Sequence, residues 1–162
     1  MKELVVITGA SSGIGAATAK LFRLMGHPLL LLARRVEMMS EFKGDYVMVR
    51  NLDVTDRDSF VKIIKEAELK FGPVGALINN AGLMLLGQVD VQDPDEWQKM
   101  FDVNVMGLLN GIHAILPGMK ERQNGTIINI GSIAGRKNFN DHAVYCGTKF
   151  GVHAISENLR ME

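Results

Sequence analysis

The sequence predicts an α/β fold, a doubly wound parallel sheet with helices on both faces. Short apolar runs alternate with helical stretches along the chain, and polar or small residues follow each apolar run. Such alternation is typical of a parallel sheet, and right-handed crossovers then predict the strand order 3-2-1-4-5. The predicted strands are residues 3–8, His27–Ala33, Tyr46–Arg50, Val74–Asn79 and Thr126–Gly131.

The predicted helices follow from apolar periodicity and capping residues. In the first of them, Ala17, Leu21 and Leu24 form one apolar face. Thr55 with Asp58 resembles a capping box, and Asp93 before Pro94 is typical of an N-cap. The predicted helices are Gly13–Met25, a short one at Val36–Glu41, Asp56–Phe71, Pro94–Glu121 and Ala143–Glu162.

Length and composition bound the class of protein. The 162 residues predict a single domain, 1–162, and 47% apolar with 22% charged residues is typical of a soluble globular protein. Lys and Arg together number 18, as do Asp and Glu together, so the formal net charge is zero. This balance predicts no nucleic-acid partner and no membrane partner. Cys146 is the only cysteine, so an internal disulfide is excluded and a reducing cytoplasm is expected. The sequence shows no membrane-spanning apolar run and no recognisable signal peptide.

Three glycines, Gly9, Gly13 and Gly15, stand between the first strand and the first helix. A glycine-rich turn into a helix leaves backbone N–H groups without partners at the helix N-terminus, which favours a phosphate. Tight turns also use glycine for backbone reasons alone. Small or polar residues at the other strand ends favour the phosphate interpretation, because ligands of such sheets bind at that edge.

Arg34 and Arg35 follow the second strand, where a dinucleotide-binding fold that uses NAD places an acidic residue. Arginine favours a 2′-phosphate, whereas aspartate would repel it. The alternative is a pair of solvated surface arginines. Beside the glycine turn, the pair predicts NADP(H) as the cofactor.

Tyr145 and Lys149 are four residues apart on the last predicted helix, so they share a face. A phenol has an ordinary pKa of about 10 and is a poor proton donor or acceptor at neutral pH. A nearby ammonium lowers the pKa of a phenol toward the working range. Ser132, at the end of the fifth strand, could hydrogen-bond the same substrate oxygen. The alternative is an ordinary exposed helix with this spacing by chance.

A set of motifs together resembles the short-chain dehydrogenase/reductase family. The motifs are Thr8-Gly9-x3-Gly13-x-Gly15, Asp53-Val54, Asn79-Asn80-Ala81-Gly82, Asn104, Ser132 and Tyr145-x3-Lys149, in family order. The likeness covers all 162 residues and corresponds to the N-terminal two-thirds of a family member, which implies a Rossmann-type fold. Residues 27–35, 101–105 and 141–149 are especially similar to a bacterial branch with NADPH-dependent blue fluorescence.

The resemblance implies an NADP(H)-dependent oxidoreductase acting on a small alcohol or carbonyl compound. Tyr145 would be the general acid or base, and Lys149 would assist it and bond the nicotinamide ribose. Ser132 would orient the carbonyl, and Asn104 would hold a water linking Lys149 to solvent. The implied cofactor-binding residues also include Gly9, Ser11, Ser12, Gly13, Ile14 and Gly15 at the pyrophosphate, Asp53 and Val54 at the adenine, and Asn80, Ala81 and Gly82 on the ribose side.

Two further expectations come from the resemblance. Family members continue with two more strands and a mobile substrate lid, so the sequence is expected to be truncated, a fragment of the functional chain. The helices Pro94–Glu121 and Ala143–Glu162 resemble those through which members pair, which implies a homodimer or homotetramer. A stripe within the first of these helices comprises Phe101, Val105, Leu109 and Ile112.

Other candidate sites are weaker. The four histidines lack metal-ligand spacing; His142 and His153 are eleven residues apart, so no metal is expected. Cys146 is interpreted as a buried small residue rather than a nucleophile. Met84, Leu85 and Leu86 could line an apolar substrate site or could be packed loop residues.

Two classes of function are consistent with the sequence. The first is a reductase or dehydrogenase, favoured by the set of Tyr145, Lys149, Ser132 and Asn104. The second is a protein that binds NADPH without useful turnover, as a fluorescence-enhancing or regulatory binder. Truncation favours the second class for these 162 residues alone.

Overall fold

The computed structural model describes residues 2–162 and contains a five-stranded parallel sheet flanked by helices. The sheet order is β3-β2-β1-β4-β5, with every neighbouring pair parallel. The predicted fold class and strand order are therefore confirmed. The strands are β1 (Leu4–Thr8), β2 (Leu29–Ala33), β3 (Val47–Asn51), β4 (Val74–Asn79) and β5 (Thr126–Asn129).

The helices agree with the predicted positions except in the middle of the chain. The predicted helix Pro94–Glu121 is two α-helices joined by a π-helical turn, Asp102–Met106, in which the Gly107 N–H reaches back to Asp102 O. The short helix predicted at Val36–Glu41 is a 3₁₀ turn, Val36–Met39. The α-helices are α1 (Gly13–Leu24), α2 (Arg57–Phe71), α3 (Pro94–Phe101), α4 (Gly107–Arg122) and α5 (Ala143–Leu159).

Both faces of the sheet are covered, as the continuous apolar strands require. Alternate residues of β1 point to opposite faces: Val6 packs in the cluster that contains Phe60 of α2, and Ile7 in the cluster that contains Ala19 of α1. Helix α5 packs on α4 through Val152. The polar ends of β1 and β4 therefore lie between helix layers rather than on an open face.

The prediction that Ala17, Leu21 and Leu24 form the buried apolar face of α1 is wrong. Leu21 is 57% exposed and Leu24 86% exposed, and Ala17 is exposed too. The buried residues of α1 are instead Gly15 and Ala19. Small side chains are needed on this face because the helix starts almost in contact with the turn that follows β1. The inward face of α1 comprises Gly15, Ala19 and the half-buried Phe22, with the smallest residue where the helix meets the turn.

The start of α2 also differs from the prediction. The N-cap is Asp56, whose carboxylate accepts from the Ser59 N–H at 3.0 Å. Thr55, the expected cap, instead donates its hydroxyl to Asp53 Oδ1 at 2.8 Å. At the start of α3, Asp93 is the N-cap as predicted, and it accepts from the Asp95 N–H at 2.9 Å.

Helix α4 lies against β4 at Gly111. A Cβ atom there would be 2.6 Å from Asn79 Oδ1 and 3.1 Å from Phe60 Cζ. Asn79 Oδ1 is buried without a hydrogen-bond partner among the described residues. This contact therefore leaves no room for a side chain.

Replacing Gly111 with Ala should destabilise the fold by about 1–3 kcal/mol, because the methyl group overpacks this contact. The control is Gly151→Ala in α5, where no atom lies within 4 Å of the new methyl. This control should be neutral or stabilising by up to about 1 kcal/mol, since Ala favours helix. Urea denaturation followed by circular dichroism gives both values. Equal stabilities of the two variants would contradict the tight contact at Gly111.

Candidate active site

A cleft of about 410 Å³ opens at the carboxyl ends of the strands, within the size range of small-molecule sites. It brings together most of the residues predicted from sequence. Those lining it are Gly9, Ser11, Ser12, Ile14, Arg34, Arg35, Asp53, Val54, Asn80, Ala81, Gly82, Tyr145 and Lys149. Gly13, Gly15, Asn104 and Ser132 are not among its lining residues: Gly15 and Asn104 are buried, whereas Gly13 is exposed and Ser132 is half-buried.

The floor of the cleft is the junction between β1 and β4. The Thr8 hydroxyl accepts from the Asn80 N–H and the Ala81 N–H, both at 3.0 Å. The Asn80 amide donates to the carbonyls of Thr8 and Gly9, at 3.0 and 3.1 Å. These four bonds fix the turn after β1 against the turn after β4.

The glycines of the first turn serve its geometry in different ways. Gly9 and Gly13 have φ angles of 64° and 55°, which L side chains rarely adopt. A Cβ atom at Gly15 would lie 2.4 Å from Gly9 O and 2.5 Å from Asn80 Nδ2. Gly15 therefore allows α1 to begin directly over the turn.

The N-terminus of α1 faces the cleft without a side-chain cap. The N-cap residue, Ser12, makes no capping hydrogen bond, and the first turn of α1 contains no acidic residue. The partly positive end of the helix is therefore available to an anion.

Arg34 and Arg35 lie at the far end of the cleft and are exposed. Within residues 2–162 neither guanidinium forms an ion pair. The backbone at Arg34 is fixed by Asn51, whose amide donates to Arg34 O at 2.6 Å. The two charges are therefore free for a ligand that enters this end.

Tyr145 and Lys149 lie on the face of α5 that lines the cleft, with Lys149 Nζ 6.0 Å from the centre of the Tyr145 ring. Tyr145 is half-buried, whereas Lys149 is only 7% exposed. Burial lowers the pKa of Lys149 from its ordinary value. One ammonium N–H donates to Ile130 O at 2.8 Å, which offsets part of the desolvation.

Asn104 lies in the π-helical turn and is 2% exposed. Its side-chain amide bonds both backbone polar groups of Leu83: it accepts from the Leu83 N–H at 2.7 Å and donates to Leu83 O at 2.8 Å. It also donates to Thr148 Oγ1 at 3.1 Å. Asn104 therefore ties the loop after β4 to α5.

A polar space lies beside Asn104. A Cβ atom on Gly82 would be 3.5 Å from Asn104 Oδ1 and 3.9 Å from Lys149 Nζ. Because Gly82 has no side chain, the region between the amide oxygen and the ammonium stays open.

Ser132 directly follows the cleft residue Gly131. Its oxygen accepts from the Ala134 N–H at 3.1 Å and caps a 3₁₀ turn, Ile133–Gly135. A hydroxyl that accepts in this way keeps its own proton for donation.

Several cleft residues were not predicted as site residues: Leu32, Ala33, Leu52, Leu83, Val103, Ile130 and Gly131. Ile130 accepts the Lys149 hydrogen bond through its backbone carbonyl, and Leu83 bonds Asn104 through its backbone N–H. Because only the backbone is involved, their side chains do not identify them as site residues in the sequence. Met84, for which the sequence allowed two interpretations, lines the cleft and is 52% exposed.

Residues 2–162 include no grouped metal ligands and no candidate membrane span. No three His, Cys, Asp or Glu side chains are grouped so as to hold a metal ion. Across the same residues, no helix has the length and hydropathy needed to span a membrane. Cys146 is a free, buried thiol.

Comparisons with known proteins agree with this geometry. An uncharacterised oxidoreductase of Staphylococcus saprophyticus is 45% identical over 99% of the chain, which spans 67% of that relative's length. Among solved structures, serine dehydrogenase from Escherichia coli matches with a TM-score of 0.92 and 36% identity, over 98% of this chain and 75% of that one.

A closed form of serine dehydrogenase complexed with NADP+ matches with a TM-score of 0.94 and 36% identity, over 98% of this chain and 65% of that one. The sequence profile of the family described as short chain dehydrogenase matches residues 3–162. The chain therefore belongs to the short-chain dehydrogenase family of oxidoreductases.

Proposed function

We propose that the complete protein is an NADP(H)-dependent reductase or dehydrogenase of a small carbonyl or alcohol compound. The observation that carries this proposal is the convergence of Tyr145 and Lys149 with the glycine turn and the two arginines in one cleft. Its single cysteine suits a reducing compartment, and we propose that it works in the cytoplasm.

The residues of the cleft fit a dinucleotide phosphate. The pyrophosphate suits the uncapped start of α1 and the turn 9–15, where Gly13 has open space in front of it. Asp53 and Val54 lie where an adenine would reach, and Arg34 and Arg35 supply charge for a 2′-phosphate. The charges of Arg34 and Arg35 favour NADP(H) over NAD(H), and so does the NADP+ bound to a related serine dehydrogenase.

When bound, NADPH supplies the hydride that reduces the carbonyl carbon. Tyr145 gives its phenolic proton to the carbonyl oxygen, and takes it back in the reverse direction. Lys149 stabilises the resulting phenolate by its charge and bonds the nicotinamide ribose. Ser132 donates its free proton to the same oxygen and so orients the carbonyl.

We propose that Asn104 has a positioning role in addition to the one implied by the family. Its amide is engaged by Leu83 and Thr148, so it mainly positions the cleft wall beside Lys149. We propose that a water linking Lys149 to solvent occupies the space at Gly82, with Asn104 Oδ1 as one of its partners.

The second candidate function is NADPH binding without useful turnover. The resemblance expected from residues 27–35, 101–105 and 141–149 favours it, as do the exposed apolar side chains of Met84, Leu86 and Ile133. One experiment distinguishes the two functions. The protein is mixed with NADPH and a panel of carbonyl compounds, both as it stands and as a chimera with the last third of the Staphylococcus saprophyticus relative fused after Glu162, and NADPH oxidation and fluorescence are measured. Oxidation of NADPH by the chimera supports the enzyme, and enhanced fluorescence without oxidation supports the binder.

We further propose that two copies pair through the helical rod formed by α3 and α4, and through α5. The exposed apolar residues on these helices favour pairing, since Phe101 is 43% exposed and Phe150 42% exposed. Part of the stripe faces inward, since Ile112 is only 6% exposed and packs against Val152.

Sedimentation velocity at high protein concentration should show a dimer or tetramer. Phe101→Asp should dissociate it, because a carboxylate in the centre of an apolar interface loses its hydration. Leu24→Asp, on the exposed face of α1, serves as the control and should leave the oligomer intact. A monomeric parent protein would refute pairing.

Replacing both Arg34 and Arg35 with Ala should weaken NADPH binding far more than NADH binding. Each charge-assisted contact is worth roughly 1.5–3 kcal/mol, and NADH lacks the 2′-phosphate that receives them. Isothermal titration calorimetry measures both affinities. Arg160→Ala, remote from the cleft, is the control. Equal weakening of NADPH and NADH would overturn the assignment of the arginines.

Tyr145→Phe should lower turnover of the complete protein by about 10²–10⁴-fold, because the ring stays but the proton is lost. NADPH binding should survive, since the phosphate-binding residues are unchanged. Lys149→Ala should lower both the cofactor affinity and the rate, because it removes a charge and a ribose contact.

The control is Tyr46→Phe, since Tyr46 is the only other tyrosine and is 67% exposed. Steady-state rates between pH 6 and 9 measure the effect. Near-normal carbonyl reduction by Tyr145→Phe throughout that range would exclude Tyr145 as the acid.

A further inference from the structure

Asn110 is an amide buried in the middle of α4, where it is 4% exposed. Its side-chain hydrogen bonds go to the segment between β3 and α2 and to Arg57, the first residue of α2. Its Nδ2 donates to Val54 O at 2.9 Å and to Thr55 O at 3.3 Å, and its Oδ1 accepts from Arg57 Nε at 3.1 Å. A side chain of α4 therefore binds the backbone behind one wall of the cleft.

Val54 packs in the core, but the segment Asp53–Thr55 has few other hydrogen bonds to the rest of the fold. Asp53 Oδ1 accepts from the N–H and the hydroxyl of Thr55, at 3.0 and 2.8 Å, but both bonds lie within the segment. Among residues 2–162, Asn110 is the one side chain from another element that bonds the Val54 or Thr55 carbonyl. The position of these carbonyls relative to the sheet thus depends on α4.

The packing beside this amide is close. Gly107 lies one turn before Asn110, and a Cβ atom there would be 2.5 Å from Val54 Cγ2. Val54 is 8% exposed and lines the cleft together with Leu52 and Asp53. The glycine lets α4 approach, and the amide fixes the direction in which the Val54 backbone faces.

Packing alone does not explain an amide at this position. Asn is a poorer helix former than Leu, and a buried amide costs free energy unless its groups are bonded. An apolar side chain would fill the space but would leave the Val54 and Thr55 carbonyls without a partner.

We infer that Asn110 is a positioning residue for the adenine end of the cofactor pocket, holding the Asp53–Thr55 backbone in its binding geometry. This inference rests on the proposed binding of NADP(H) in the cleft. Asn110 lies behind the cleft wall and touches no reacting group, so it acts on cofactor affinity and not on the chemical step.

The test uses Asn110→Leu, which keeps the number and branching of the side-chain heavy atoms and removes the bonds. Asn110→Asp keeps the shape but removes the donor, and it serves if the Leu variant fails to fold. The matched control is Ile112→Val on the same helix, which lowers stability but packs away from the segment, against Val152. The probes are NADPH and 2′,5′-ADP, which carries the adenine and the 2′-phosphate without nicotinamide.

The dissociation constants of both probes should rise by the same factor, roughly ten-fold for the two lost hydrogen bonds to the Val54 and Thr55 carbonyls, while kcat at saturating NADPH stays unchanged. Amide hydrogen exchange of residues 52–55 should accelerate in the variant and not in Ile112→Val. Unchanged affinities, or equal losses in Ile112→Val, would overturn the role of Asn110. A parent protein that binds neither probe would instead overturn the proposed function, and this inference with it.

Discussion

The close approach of α1 to the ends of β1 and β4 is the constraint on which the site depends. At Gly15 the helix comes so near that a methyl group would overlap both Gly9 O and Asn80 Nδ2. The same Asn80 amide and the Thr8 hydroxyl join the two turns by four hydrogen bonds. A phosphate at the start of α1 and a ribose near Gly82 would therefore contact one rigid unit, whose parts cannot move separately.

The opposite wall is held in a different way, by polar side chains from the helices. Asn104 fixes the Leu83 backbone and contacts α5, and Lys149 bonds the Ile130 carbonyl just after β5 ends. The strand stops at Asn129, so the next carbonyl is free to receive the ammonium. Burial would otherwise favour neutral lysine, and this bond helps to keep the charge beside Tyr145.

The fold and most of the cleft could be predicted from sequence because they depend on local signals. Strand ends, the glycine turn and the Tyr145–Lys149 spacing are each visible within a few residues. The inward face of α1 was missed because close packing selects Gly15 and Ala19, whereas hydrophobicity points to Leu21 and Leu24. Asp56 was missed as the N-cap of α2 because the neighbouring Thr55 also fits a capping pattern. Only the structure reveals that the Thr55 hydroxyl bonds Asp53 instead. The hydrogen bonds of Asn104 and Asn110 join segments far apart in the chain, and no local pattern reveals them.

The π-helical turn Asp102–Met106 gives α3 and α4 one surplus residue within a continuous helical rod. Each residue of an α-helix corresponds to about 100° of rotation and 1.5 Å of rise. Loss of one residue from this turn would restore an ordinary helix and rotate all of α4 against the sheet. Gly107, Asn110 and Gly111 would then leave Val54 and Asn79, which they now face. The length of this segment is thus as constrained as the identity of its side chains, and insertions or deletions there are expected to be far less tolerated than substitutions at its exposed residue Met106.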